Sequence, residues 1–188
     1  MARENPLDRL TKEKIVELLN RCWMTHDGMW YYHCFRDLGA EQANRLNRAA
    51  IRSLAPLETG RICQALGLPQ ERLESFEELK AFLNGAAPLV IPSFMGGRFF
   101  FPRLDVLRWE FPAGQCFAYK GIKRIGALEG YECGVIFRLQ CWFEALGLKF
   151  SVNPPSGHCR MAFGEACSGE FLFDFDTKNQ LSSFLLLC

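Results

Sequence analysis

The sequence lacks a surplus of either charge and lacks any long apolar run. Of its 188 residues, 22 are Lys or Arg and 21 are Asp or Glu, so the formal net charge is only +1. Such a balance provides no overall field to attract nucleic acid or an anionic membrane. The longest uncharged stretch, 81–97, is interrupted by Pro88 and Pro92 and is too short to span a bilayer as a helix. We therefore expect neither a nucleic-acid partner nor a membrane partner.

The first residues do not have the pattern of a secretory signal. Residues 1–8 are polar and charged, whereas export requires a basic start followed by an apolar run. We expect a cytoplasmic protein, and a reducing cytosol disfavours disulfides. The nine cysteines are therefore expected to be free thiols or metal ligands. Most of them should be small buried hydrophobic side chains.

Residues 1–87 predict a helical half. Thr11 is typical of a helix N-cap, and the apolar residues that follow recur at helical spacing until Gly39, where the helix should stop. A second helix should follow, and Pro56 should kink or split it. Ser75 and Glu78 have the spacing of a capping box, which predicts a third helix ending near residue 85.

Residues 88–188 predict strands around one helical crossover. Leu107, Trp109 and Phe111 alternate with charged residues, as in a half-buried strand. A helix is expected over 132–146, and strands over 149–152, around Cys159 and Met161, and over 171–175. This order predicts an α+β fold in which N-terminal helices pack on a mostly antiparallel sheet with a helical crossover. We expect one domain over 1–188.

The segment from Arg98 to Arg124 is rich in basic and aromatic residues. Such a mixture could serve as a platform for single-stranded nucleic acid. A strand with one solvated face, followed by a basic helix, explains the same residues and is the interpretation that we favour. The run Phe99-Phe100-Phe101 is expected to pack in the core or to line an apolar cavity.

The histidines near the N-terminus share one helical stripe. Cys22, His26 and His33 recur with Ile15 and Leu19 at spacings of three and four, so a helix should point them inward. They could be hydrogen-bonded core residues, which we favour, or could line a ligand pocket with the neighbouring Trp30. A metal held by two imidazoles and a thiol is disfavoured, because His26 and His33 are about 10 Å apart along a helix.

Three cysteines near the C-terminus have a spacing that suggests a metal site. Cys159 and Cys167 flank a turn between two predicted strands, and Cys133 lies at the start of the preceding helix. A hairpin could bring these sulfurs within the roughly 4 Å of one another that zinc coordination requires. On spacing alone, buried or idle thiols are the simpler explanation of the same residues.

Residues 133–175 resemble the C-terminal part of the 4-vinyl reductase domain family. The similarity lies in Cys133-Gly-Val-Ile-Phe-Arg-Leu-Gln-Cys-Trp-Phe-Glu-Ala-Leu-Gly147 and in the Cys-x7-Cys unit from Cys159 to Cys167. The resemblance implies zinc thiolates at Cys133, Cys159 and Cys167. It also implies a small-molecule-binding domain that pairs as a homodimer, with zinc serving the fold and not the chemistry.

The fourth zinc ligand is not evident in the sequence. The family places a carboxylate three residues before the first cysteine of the pair, and here that residue is Ser156. Cys141 is excluded if it shares a helix with Cys133, because eight residues separate them by about 12 Å. His158, water or a ligand remain as alternatives. The other cysteines are expected to be ordinary thiols: Cys22, Cys34, Cys63, Cys116 and Cys188.

The segment from His26 to Tyr31 gives a second resemblance. It is similar to bacterial proteins related to thiazoline-carboxylate hydrolases, which implies a hydrolase acting on a small cyclic C–N substrate. His26 and Asp27 would then be the candidate catalytic residues. Small-molecule binding with a structural zinc is our preferred prediction, and the hydrolase is its alternative.

Overall fold

A long helix, α1 (Lys12–Leu66), occupies the first third of the computed structural model, which describes residues 6–69 and 72–175. Thr11 caps it, because its side chain accepts a hydrogen bond from the backbone N–H of Lys14 at 3.3 Å. Gly39 interrupts it with φ 80° and ψ 170°, a conformation that is almost restricted to glycine. The predicted cap and the predicted break at Gly39 are both confirmed.

The two arms of α1, residues 12–38 and 40–66, fold back along each other. The Tyr31 hydroxyl donates to Asn44 Oδ1 at 3.0 Å, although 13 residues would separate these positions by about 20 Å in a straight helix. Pro56 lies within the second arm, and only Gly39 has non-helical dihedral angles inside α1. Pro56 therefore does not split the second arm, contrary to one of the two predicted outcomes.

The second helix, α2 (Phe76–Val90), begins where the capping motif predicts. Ser75 Oγ accepts a hydrogen bond from the N–H of Glu78 at 3.2 Å. The helix continues past residue 85 to Val90, so the predicted end is too early. A Cβ on Gly85 would lie 2.6 Å from the Leu66 side chain, which shows that this glycine permits close helix packing and is not a terminator.

Four antiparallel strands form one sheet in the order β1-β2-β4-β3. The strands are β1 (Arg98–Arg103), β2 (Val106–Phe111), β3 (Lys149–Asn153) and β4 (Cys167–Asp174), and the remaining helices are α3 (Phe117–Arg124) and α4 (Gly134–Ala145). The predicted strand around Cys159 is wrong, because Arg160–Phe163 forms a short 3-10 helix. Cys159 and Cys167 therefore do not belong to one two-stranded hairpin.

The inner face of the sheet packs on α4, and α4 packs in turn on α1, which confirms the predicted α+β architecture. The Phe143 ring of α4 lies 5.0 Å from Phe171 and 4.9 Å from Phe173 of β4. The core continues from these rings to Tyr31 on the first arm of α1, so both halves of the sequence share it. In the described ranges, no helix is long and apolar enough to cross a membrane.

Candidate metal centre

A short antiparallel bridge places Cys133 and Cys159 diagonally across from each other on one face of the paired segments. Glu132 pairs with His158, and the flanking backbone hydrogen bonds join Cys133 N–H to Gly157 O at 2.6 Å and Cys159 N–H to Tyr131 O at 3.1 Å. Because successive residues of extended chains point to opposite faces, both cysteines lie on the face opposite to Glu132 and His158. His158 is exposed against the Phe163 ring and is poorly placed to join them.

Cys167 reaches the same region at the first residue of β4. Arg160, next to Cys159, donates from Nε to the carbonyl oxygen of Ala166 at 2.9 Å and so closes the loop that ends at Cys167. Cys167 also pairs with Phe111, the last residue of β2. The three predicted ligands are therefore brought to one region of the fold by backbone pairing.

A fourth cysteine, Cys116, lies in the same neighbourhood. The chain turns after Phe111, with Gln115 N–H donating to Pro112 O at 2.9 Å, and Cys116 then precedes α3. The pKa of Cys133 is raised to about 11, mainly by burial and further by Cys116 and Cys159. The pKa of Cys167 is raised to about 12, mainly by burial and then by the other three thiols. Cys116, which the sequence analysis treats as an ordinary thiol, therefore lies near the other three cysteines.

Three of the four thiols occupy the same local position, just before a helix. Cys116, Cys133 and Cys159 precede α3, α4 and the 3-10 helix, respectively. None accepts a capping hydrogen bond of standard side-chain geometry, but N–H groups of the following turn lower the pKa of each thiol, against the larger raising effect of burial. Helix starts favour negative charge, so these positions suit thiolates.

The four thiols are free of disulfides, and they are buried or partly buried. The eight cysteines in the described ranges are all free, and Cys116 and Cys159 are each only 8% exposed. As the side chains stand, no group of three or more His, Cys, Asp or Glu residues within 6–69 and 72–175 is arranged to hold a metal ion. The four cysteines are thus neighbours whose sulfurs would still have to draw together around one ion.

The other ligand candidates lie outside this cluster. Burial raises the pKa of Cys141. The charge of Glu144 raises it further, and the charges of Arg52 and Arg48 lower it; none of the four thiols affects it. Ser156, at the family's carboxylate position, donates its hydroxyl to Gln140. Helix geometry excludes Cys141 as a ligand, and its position within α4 agrees with that exclusion. Sequence reasoning missed Cys116, although its place before a helix, like that of Cys133, was a usable signal.

The N-terminal candidates lie on the surface of the first arm of α1. His26, Trp30 and His33 are exposed, with Trp30 63% exposed, so the expectation that this stripe points inward is wrong. Asp27 lies beside Arg138; burial raises the pKa of its carboxyl, and the Arg138 charge lowers it by less. None of these residues lines the cavity beside Arg72 or the cavity beside Phe76.

An aromatic groove lies between α2 and the edge strand β1. Its volume is about 500 Å³, within the range of small-molecule sites. Phe76 forms its floor and packs edge-to-face on Phe101 at 5.4 Å. The side chains lining it are Phe76, Lys80, Asn84, Phe99, Phe100, Phe101, Arg103 and Leu104. The sequence prediction that Phe99–Phe101 packs in the core or lines a cavity is confirmed.

Comparison with known proteins relates the N-terminal part of the chain to a family. A family model described as a family of unknown function (DUF6125) matches residues 8–84, which is less than half of the chain and excludes all four clustered cysteines. No curated protein matches the chain. No solved structure matches it either. The part of the chain that is similar to that family is the hairpin of α1 together with most of α2.

Proposed function

We propose that the chain is a small-molecule-binding domain in which Cys116, Cys133, Cys159 and Cys167 hold a structural zinc ion. The observation that carries the zinc proposal is that four free thiols from four separate segments lie near one another in one region of the fold. Four thiolates are a common donor set of structural zinc, and Cys116 supplies the ligand that the resemblance leaves open.

Zinc would cross-link the parts of the fold that backbone pairing only brings near. The ion joins the segment after β2, the start of α4, the 3-10 turn and the start of β4, drawing their sulfurs to within roughly 4 Å of one another. The buried thiols have raised pKa values, so the metal displaces their protons on binding. Arg160 lowers the pKa of Cys167 and is placed to offset the negative charge of the thiolates.

The metal content of single-cysteine variants tests the zinc site. We expect one zinc per chain in protein purified without chelator, and loss of that zinc in Cys116→Ser and in Cys159→Ser. Cys63→Ser is the matched control, because Cys63 is also buried but lies on α1 and is not among the groups that shift the four thiols. Zinc absent from the unmodified protein would refute the site, and zinc retained by Cys116→Ser would refute the role of Cys116.

The aromatic groove supports the small-molecule part of the proposal. Phenylalanine rings line it, while Lys80 and Arg103 bring positive charge and no acidic side chain contributes to the lining. Glu77 pairs with Lys80 at 2.9 Å but is 75% exposed, and Arg103 is 3.8 Å from Glu170. A small apolar molecule that carries an anionic group fits this combination of rings and cations.

Binding of 2-naphthoate, compared with its uncharged carboxamide, tests the groove. We expect the anion to bind more tightly, and the double substitution Lys80→Gln/Arg103→Gln to weaken it roughly tenfold, as loss of a charged hydrogen bond would. The carboxamide should bind both forms equally, and Lys123→Gln on α3 is the charge-matched control. Equal affinity for the two probes, or no saturable binding below about 1 mM, would contradict the groove assignment.

The hydrolase alternative has less support. His26 and Asp27 lie on the first arm of α1, outside both the groove and the thiol cluster, and His26 is exposed. The alternative would regain support if turnover of a thiazoline carboxylate disappeared in His26→Ala. We also infer a cytoplasmic location, because the proposed zinc site needs reduced thiols.

A further inference from the structure

The extended segment 130–133, which leads into α4, is hydrogen-bonded along two opposite edges. Along one edge its backbone pairs with residues 157–159. Because successive backbone groups of an extended chain point to opposite sides, the carbonyl oxygen of Gly130 and the N–H of Glu132 face the other edge. These two groups need a different partner, because backbone polar groups inside a fold are rarely left unpaired.

The side chain of Asn44, on the second arm of α1, pairs with both groups. Asn44 Nδ2 donates to Gly130 O at 2.7 Å, and Asn44 Oδ1 accepts from the N–H of Glu132 at 3.1 Å. One amide thus forms the donor and acceptor pair that a neighbouring strand would otherwise supply. The Asn44 side chain is buried, so water has little access to these hydrogen bonds.

Tyr31 holds the Asn44 amide in this orientation. Its hydroxyl donates to Asn44 Oδ1 at 3.0 Å, and both side chains are buried. The opposite orientation of the amide would place its NH₂ group against the backbone N–H of Glu132. Because Tyr31 lies on the first arm of α1, the hydrogen bonds run from one arm through the other to the segment that carries Cys133.

Two glycines let this segment lie close against the second arm of α1. A Cβ added to Gly130 would lie 3.2 Å from the Cβ of Ala40, and a Cβ added to Gly134 would lie 3.2 Å from Asn47 Nδ2. Any larger residue at either position would push the segment away from the helix. Packing therefore sets the distance between the segment and α1, while the Asn44 amide sets the position of the segment along the helix.

We propose that Asn44 is a positioning residue of the thiol cluster, whose amide holds Cys133 on the face that it shares with Cys159. The inference rests on the proposed zinc site, and it gives the α1 hairpin a role there, although residues 8–84 contain none of the four clustered cysteines. Asn44 acts through backbone hydrogen bonds, as partners that orient metal ligands do. Substitution of such partners typically weakens metal binding by roughly 10–100-fold.

Zinc affinity and the cobalt(II) spectrum test the role of Asn44. In the full chain, Asn44→Ala should weaken zinc binding by roughly tenfold or more, and should alter the thiolate-to-cobalt absorption band when cobalt(II) replaces zinc. Asn20→Ala is the matched control, because Asn20 is a buried asparagine on the first arm of α1 that donates to two backbone carbonyl oxygens. It should lose stability but keep the zinc affinity and the spectrum. An unchanged zinc affinity in Asn44→Ala, or an equal loss in Asn20→Ala, would overturn the proposal.

Tyr31→Phe decides the matter if Asn44→Ala does not fold. This substitution removes only the hydroxyl that orients the Asn44 amide and keeps the buried ring. We expect Tyr31→Phe to bind zinc several-fold more weakly than the unmodified protein, with the same change in the cobalt(II) spectrum. An affinity and a spectrum equal to those of the unmodified protein would overturn the proposal.

Amide exchange in zinc-free protein separates failure of this inference from failure of the zinc site. Asn44→Ala should speed exchange at the N–H groups of Cys133 and Cys159 relative to amides of the sheet, and Asn20→Ala should not. Faster exchange in a chain that binds no zinc would support the positioning role and refute the zinc site. Zinc binding by the unmodified chain, with exchange at both N–H groups unchanged in Asn44→Ala, would support the zinc site and overturn the positioning role.

Discussion

Glu58 of α1 and Arg138 of α4 form a buried ion pair that joins the helical hairpin to the sheet-covering helix. Glu58 Oε2 accepts hydrogen bonds from Arg138 Nε at 3.0 Å and from Trp142 Nε1 at 2.6 Å. The Arg138 and Glu58 side chains are only 17% and 11% exposed. The Arg138 guanidinium also lies 4.5 Å from the centre of the Trp23 ring, so it contacts both arms of α1.

Substitution of Glu58 by Gln should be strongly destabilising. Arg138 would remain buried without its counter-charge, which costs about 3 kcal/mol of unfolding free energy. The exposed pair Arg52–Glu144, at 2.9 Å, is the control, and Glu144→Gln should cost less than about 1 kcal/mol. Urea unfolding of the two variants measures both values, and equal costs would contradict the special role of the buried pair.

Alanine substitutions at two glycines of α1 should change the stability of the fold in opposite directions. Gly39→Ala forces a side chain into a conformation that costs about 1–3 kcal/mol and should lower the melting temperature. Gly28 is helical, and a Cβ added to it would have no atom within 4 Å, so Gly28→Ala should add about 0.5–1 kcal/mol. The melting temperatures of the two variants test both predictions. A higher melting temperature in Gly39→Ala would mean that the fold does not require the helix break at this residue.

The stability of Asp27→Asn should depend on pH. The pKa of Asp27 is raised in the folded chain, so its carboxyl favours folding when protonated and this contribution is lost as pH rises through the folded pKa. At neutral pH the Asn variant should therefore be the more stable form, and the difference should vanish once pH falls below the ordinary value of 3.8. A difference in melting temperature that is constant with pH would contradict this reasoning.

Removal of zinc should loosen one end of the sheet before the rest of the fold. A strong chelator is expected to lower the melting temperature of the unmodified protein and to have no effect on Cys116→Ser. Amide exchange should accelerate at residues 112–117, 131–134 and 157–168, and should stay slow in α2. Uniform acceleration would indicate that the metal supports the whole fold and not this end alone.

The features that sequence predicts well are local. Thr11 and Ser75 act within one helical turn, and the alternation around Trp109 concerns one strand, so neighbouring residues contain the necessary information. Cys116 is different, because its proximity to Cys167 depends on the pairing of β2 with β4. The spacing between Cys116 and the other three cysteines does not reveal that pairing.

The histidine stripe shows a second limit of sequence reasoning. Periodicity identifies residues that share a helix face, but it does not say which face the core covers. The first arm of α1 has an apolar face on each side, and the fold buries the one with Asn20 and Tyr31. His26 and His33 therefore lie outside, although their spacing is that of a buried stripe.

The contact between Glu58 and Arg138 also constrains the order in which the protein can form during synthesis. α1 ends at Leu66, whereas its main partner α4 begins only at Gly134. During synthesis, the inward face of the 55-residue helical hairpin therefore stays exposed until α4 has been made. By then more than half of the residues that follow α1 have left the ribosome. Molecular chaperones that recognise exposed apolar helices would meet this protein at that stage, and a chain truncated before α4 should aggregate.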